Sequence, residues 1–178
     1  ITLMGYMGSG KSIVSNELSY KIRFKNIDLD NEISSEIGLS IPEIFQKKGE
    51  LFFRKKEKEI LERVLDSQKD VVLSLGGGTP CYYNNIDLIN ERSVSVYLVA
   101  NVNTLVKNLL HEREKRPLIA GIKEEELPNF VGQHLMERNH YYSKAKVTVM
   151  VNDWDLDRIV SDILTEIEKL GYKTKNKN

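Results

Sequence analysis

The chain has 178 residues, 40% hydrophobic and 29% charged, with Lys+Arg and Asp+Glu both at 26. This is the make-up of one globular domain with its own core, and the lack of net basic charge removes any composition-level case for a nucleic-acid or anionic-membrane partner. Cys81 is the only cysteine, which excludes an internal disulfide and a cysteine-built zinc site and suits a reducing cytoplasm.

Residues 1–4 predict a strand that runs straight into a glycine loop, so the chain opens inside an element. Glycines interrupt this apolar start and Lys11 follows at once, which is not the pattern of a signal peptide. No later apolar run approaches the ~18 residues of a membrane span. Residues 12–22 predict a helix, with Ile13, Val14, Leu18 and Ile22 near helical spacing. Residues 24–29 predict a second strand, 31–38 and 42–48 two short helices, and 50–67 a longer one with Leu51, Ile60, Leu61, Val64 and Leu65 as its apolar members. The unbroken apolar run 71–75 predicts a strand buried on both faces, and 94–99 and 147–151 read the same way. Helices are expected at 102–111, 124–144 and 156–170. The β-α-β-α alternation argues for an α/β fold, a three-layer domain over 1–178 with a five-stranded parallel sheet flanked by helices. Residues 112–126 are charged and hold Pro117 and Gly121 between two helices, the composition of a long exposed loop and a candidate lid. The polar end 173–178 is expected to be a disordered tail.

Chemistry concentrates at a few places. Gly5-Tyr6-Met7-Gly8-Ser9-Gly10-Lys11-Ser12 has the spacing of a phosphate-binding loop, directly after a strand and before a helix. Glycines let the backbone wrap phosphates, and the helix that starts there adds its positive end. Gly8, Ser9, Gly10, Lys11, Ser12 and the adjoining Ile13 are the candidate nucleotide-binding residues: Lys11 can reach the β- and γ-phosphates, and the Ser12 hydroxyl can ligate magnesium. Asp28-Leu29-Asp30 closes the second strand, where residues two apart share a face and both carboxylates can enter one pocket. One can hold a magnesium-bound water while the other takes the proton of an attacking hydroxyl. The plainer alternative is a strand end whose Asp caps the next helix.

Gly76-Gly77-Gly78 follows the buried strand 71–75, at the end of the sheet where α/β folds bind ligands, and lets a ligand approach the backbone. No acid stands on that strand, only Ser74, which shifts a magnesium role to Asp28. Arg54, Arg116 and Arg138 are candidate anion forks, and Arg116 lies in the candidate lid. His111, His134 and His140 show no metal-ligand spacing.

Taken in this order, the motifs resemble shikimate kinase from Ile1 to about Leu170. The resemblance is carried by the phosphate loop, Asp28-Leu29-Asp30, Ile44-Phe45, Gly49-Glu50, Phe53-Arg54-Lys55-Lys56-Glu57, Gly76-Gly77-Gly78, Arg116-Pro117-Leu118-Ile119, and Arg138 with Tyr141 and Ala145. It implies transfer of the γ-phosphoryl group of ATP to the 3-hydroxyl of shikimate, with Mg²⁺, by a cytoplasmic, monomeric enzyme. Asp30 would bind the reacting hydroxyl and serve as the base, Lys11 and Arg116 would complete the catalytic set, and Ser12 and Asp28 would hold the metal. Arg54 and Arg138 would clamp the substrate carboxylate, and Gly76, Gly77 and Gly78 would meet the substrate through backbone groups. Phe45, Phe53 and Glu57 would line or brace a substrate-binding segment at about 31–61. Arg116 would swing toward the phosphates, and Arg113 would stack on adenine. Another small-molecule kinase, such as a gluconate kinase, or a non-catalytic nucleotide-binding module stays open as an alternative; a switch GTPase lacks its Asn-Lys-x-Asp motif here.

Overall fold

Three strands are apolar and buried almost without interruption, and they form the middle of the sheet: β3 (Val71–Ser74), β1 (Thr2–Met4) and β4 (Ser95–Val99). β2 (Lys25–Asp28) and β5 (Val147–Met150) are its edges, and all pairings are parallel in the order β2-β3-β1-β4-β5. The computed structural model describes residues 1–67, 69–111 and 117–172.

The order of strands decides where the helices go. The path from β1 to β2 crosses the sheet one way, and the paths β2 to β3, β3 to β4 and β4 to β5 cross it the other way. Right-handed crossovers in opposite directions place their helices on opposite faces. α1 (Lys11–Ile22) therefore takes one face, where the last helix, α9 (Leu156–Lys169), packs beside it. α2 (Leu29–Ile37), α3 (Ile41–Lys48), α4 (Glu50–Ser67), α5 (Asn85–Arg92), α6 (Val102–His111), the short α7 (Pro117–Ala120) and α8 (Leu127–Tyr142) belong to the other. The three-layer α/β expectation holds. Among the described residues no helix is long and apolar enough to cross a membrane.

Several boundaries and environments differ from the expectations. The second strand ends at Asp28, and Leu29 already belongs to α2. β5 is not buried on both faces: Val147 and Val149 are buried while Thr148 and Met150, which alternate with them onto the opposite face, are exposed. Leu51 is 80% exposed and plays no part in the core face of α4. α5 was not legible as a helix, since it is short and follows a turn-rich stretch, yet it buries Ile86, Leu88 and Ile89. The expected helix 124–144 is a 3-10 turn (Glu124–Glu126) followed by α8. Within the candidate lid, residues 112–116, and with them Arg113 and Arg116, lie outside the described residues, as does the tail 173–178. The described remainder of the lid stretch is partly helical, with the Ile119 side chain fully buried.

The contrast along α4 gives a stability test. Ile60 is fully buried, so Ile60→Ala should cost about 2–5 kcal/mol in denaturant unfolding. Leu51→Ala should stay within about 0.5 kcal/mol of the parent.

Candidate active site

The turn from β1 into α1 sets the first part of the site. Gly8 and Gly10 adopt left-handed backbone angles, with φ of 82° and 79°, which other residues reach only with strain. Gly10 is the N-cap of α1, and a Cβ there would lie 2.0 Å from the Trp154 ring. The first turn of α1 holds no acidic side chain, so nothing there offsets the attraction of the helix end for an anion. Lys11 curls back over the loop, its Nζ donating to the carbonyls of Gly5 (2.9 Å) and Tyr6 (3.0 Å). From α6, Asn108 Nδ2 donates to the Gly8 carbonyl at 2.8 Å and braces the loop from outside. Ser9, by contrast, is fully buried and does not line the cleft.

Asp28 and Asp30 reach the same cleft by a different route from the one expected. They do not alternate along an extended strand. Asp28 ends β2 and caps α2, its Oδ1 accepting from the Asn31 amide at 3.2 Å, while Asp30 sits in the first turn of that helix. Both the capping reading and the shared-pocket reading are therefore true. Leu29 is fully buried between them and anchors the turn. Register places Asp28 directly beside Ser74, the position where the third strand lacks an acid. Burial, followed by the charges of Asp28 and Glu57, pushes the Asp30 carboxyl up to about 6, against the pull of Lys11 and Arg54.

Space is tight at two of the three glycines at 76–78. A Cβ on Gly76 would come within 3.0 Å of Asp30 Oδ1 and 3.1 Å of the Thr79 hydroxyl. On Gly78 it would lie 2.9 Å from Arg54 Nη2, and on Gly77 3.5 Å from Arg138 Nη1. The backbone thus runs between an acid and two guanidinium groups, tightly at Gly76 and Gly78 and at ordinary contact distance at Gly77. Arg54 is held by the buried Glu57, Nη1 to Oε2 at 2.9 Å, and Glu57 also accepts from the Thr79 hydroxyl at 2.6 Å. Below Gly77, the Tyr142 hydroxyl donates to its carbonyl at 2.5 Å.

One cleft of about 500 Å³ is lined by Gly8, Gly10, Lys11, Ser12, Ile13, Asp28, Asp30, Gly76 and Gly77. Gly78, Arg54 and Arg138 adjoin it through the glycine stretch. Asn108, His111 and Trp154 also line it and were missed as site residues, because α6 and the loop before α9 are far away in sequence. Trp154 carried one usable signal, as the only tryptophan of the chain beside helix-capping Asp155. His134 is not free for other work: its Nδ1 lies 2.9 Å from the Tyr6 hydroxyl, and burial lowers its pKa. Among the described residues no group of three or more His, Cys, Asp or Glu could hold a metal without other ligands.

A phosphate loop at the end of β1, in a parallel sheet of order 2-3-1-4-5, with an acid from α2 and arginines from α4 and α8 gathered beside it, puts the chain in the class of P-loop kinases of small molecules. The comparisons narrow this. Residues 7–168 match the family model for shikimate kinase. A shikimate kinase of Flavobacterium johnsoniae is 45% identical over 92% of this chain and 96% of its own. The crystal structure of shikimate kinase from Bacteroides thetaiotaomicron superimposes with a TM-score of 0.88 at 30% identity, covering 94% of this chain and 97% of that one. That of Acinetobacter baumannii shikimate kinase in complex with shikimate gives 0.86 at 29% identity, covering 97% and 94%. This chain belongs to the shikimate kinase family.

The state of Asp30 predicts a pH signature in stability. Its folded pKa of about 6 lies above the ordinary 3.8, so the folded protein keeps a proton that the unfolded chain has released. That contribution is complete below the unfolded pKa and is lost as pH rises through about 6. Relative to Asp30→Asn, the parent should therefore lose denaturant stability between about pH 4 and about pH 8. A gap of the opposite sign would show that Asp30 is stabilised as a carboxylate.

Proposed function

We infer that this chain is a shikimate kinase that uses ATP to phosphorylate the 3-hydroxyl of shikimate, releasing ADP. The observation that carries the substrate side is the glycine stretch flanked by opposite chemistries, with Asp30 Oδ1 at Gly76 and the Arg54 fork at Gly78. An acceptor lying along 76–78 meets an acid for its hydroxyl at one end and cations for its carboxylate at the other. Family membership supports the same reading.

In this reading the loop amides from Gly8 to Ser12 and the end of α1 bind the ATP phosphates, with Ile13 beside them. Lys11 swings from the Gly5 and Tyr6 carbonyls onto the β- and γ-phosphates. Asp30 takes the proton as the hydroxyl oxygen attacks phosphorus, and its raised pKa suits it to accept that proton near neutral pH. Arg54 and Arg138 hold the carboxylate, and Phe45, Phe53 and Glu57 line or brace the substrate segment at about 31–61. Mg²⁺ fits the donor set, since Ser12 and Asp28 present hard oxygens to one cleft and Mg²⁺ keeps waters and phosphates for its other ligands. Bound there, it neutralises phosphate charge. From the resemblance, residues 112–126 act as a lid that excludes water and brings in Arg116, with Arg113 on the adenine. A single thiol suits a reducing cytoplasm, and from the resemblance the enzyme works there as a monomer.

ADP release with shikimate, quinate, gluconate and water as acceptors tests the assignment: turnover should be fastest with shikimate, and turnover with gluconate but not shikimate would overturn it. Asp30→Asn should cut kcat by about 10²-fold or more, as loss of a general base does. Arg54→Ala should raise the KM for shikimate far more than that for ATP, whereas equal rises would remove it from the carboxylate clamp.

A further inference from the structure

Arg54 is surrounded by groups that compete for its charge. Its Nη1 donates to Glu57 at 2.9 Å and its Nε to Glu50 Oε1 at 3.3 Å. Two carboxylates beside one guanidinium satisfy it internally and weaken it as a receptor for a third. Tyr82, which directly follows the 3-10 turn Thr79–Cys81 beyond the glycines, touches both partners. Its ring centre lies 3.8 Å from the Arg54 guanidinium carbon, closer than Phe53 at 5.0 Å or Phe45 at 5.9 Å. Its hydroxyl donates to the same Glu50 Oε1 at 2.7 Å, a shorter bond than the one from Arg54. The hydroxyl is also the main influence holding Glu50 below the usual carboxylate range.

We propose that Tyr82 is a positioning residue for the substrate carboxylate: its ring fixes the plane of Arg54, and its hydroxyl competes with Arg54 Nε for the Glu50 Oε1 they share. The Nη1 and Nη2 edge of Arg54, which faces the space over Gly78, is then left as a two-pronged donor of set orientation. Neither element is needed for folding the sheet, since Tyr82 is half-buried and Glu50 half-exposed at the surface end of α4. The proposal rests on Arg54 being the carboxylate clamp.

The test is steady-state kinetics with shikimate and ATP varied in turn. Tyr82→Leu removes ring and hydroxyl and should raise the KM for shikimate about tenfold, the loss falling there rather than on kcat or the KM for ATP. Tyr82→Phe keeps the ring, frees Glu50 to hold Arg54, and should raise it about threefold. Adding Glu50→Gln to Tyr82→Phe should recover most of that rise, because a neutral amide no longer competes for the guanidinium charge. A KM for shikimate within about twofold of the parent in Tyr82→Leu, below the effect of even an exposed cation–π contact, overturns the proposal. So does an equal rise for ATP, which marks general damage, or a Glu50→Gln addition that worsens binding. Arg54→Ala separates the two readings. If it leaves the KM for shikimate unmoved, the clamp itself is wrong; if it raises it while the Tyr82 variants do not, only the role of Tyr82 falls.

Discussion

The site depends on one buried carboxylate. Glu57 is 1% exposed and is the one buried charged side chain among the described residues. An ion in that position is tolerable only if its oxygens are satisfied, and both are, by the Thr79 hydroxyl and Arg54. Those two bonds tie α4 to the chain just beyond β3, so the helix that carries the substrate-side arginine is locked to the strand end that carries the glycines. The same charge helps keep Asp30 protonated to higher pH than a free aspartate. Removing Glu57 alone would leave Arg54 without its best-oriented partner and loosen both halves of the acceptor pocket.

Around that anchor the glycine stretch works by leaving room. At Gly76 and Gly78 a Cβ would crowd the Asp30 carboxylate and the Arg54 guanidinium, while at Gly77 it would meet only ordinary contacts, with Arg138 nearby. The result is a backbone ridge with an acid at one end and guanidinium groups at the middle and other end. The phosphate loop behaves differently. At Gly8 and Gly10 the backbone itself needs left-handed angles, and the second is further constrained by the Trp154 ring. Glycine thus serves the two places for different reasons, backbone conformation in the phosphate loop and close approach of charged groups at 76 and 78.

The paired aspartates show how a local reading can reach the right place by the wrong geometry. Strand alternation would put two acids on one face, and a helix N-terminus does the same here through a cap and a first-turn residue. The helical version adds function. Asp28 is oriented by the Asn31 amide, and Asp30 is pressed toward the glycines, where burial raises its pKa. It also seats Asp28 beside Ser74, on the strand that has no acid of its own.

The α/β class, the central strands and the phosphate loop were legible along the chain, because apolar runs and a glycine-lysine-serine spacing are local signals that need no partner. The sequence also named most residues of the cleft, through motifs that resemble one family. It did not show that Leu51 faces solvent, that β5 is an edge, or that residues 85–92 form a helix, since each depends on what packs against it. Nor did it point to Tyr82 or Asn108, and it gave only a weak signal at Trp154; their roles exist only because the parallel sheet brings the segments after β1, β3, β4 and β5 to one end. The electrostatics of Asp30 and Arg54 were likewise decided in three dimensions. Burial and the company of Glu57, Glu50 and Tyr82 set their charge and orientation, and no spacing along the chain encodes burial.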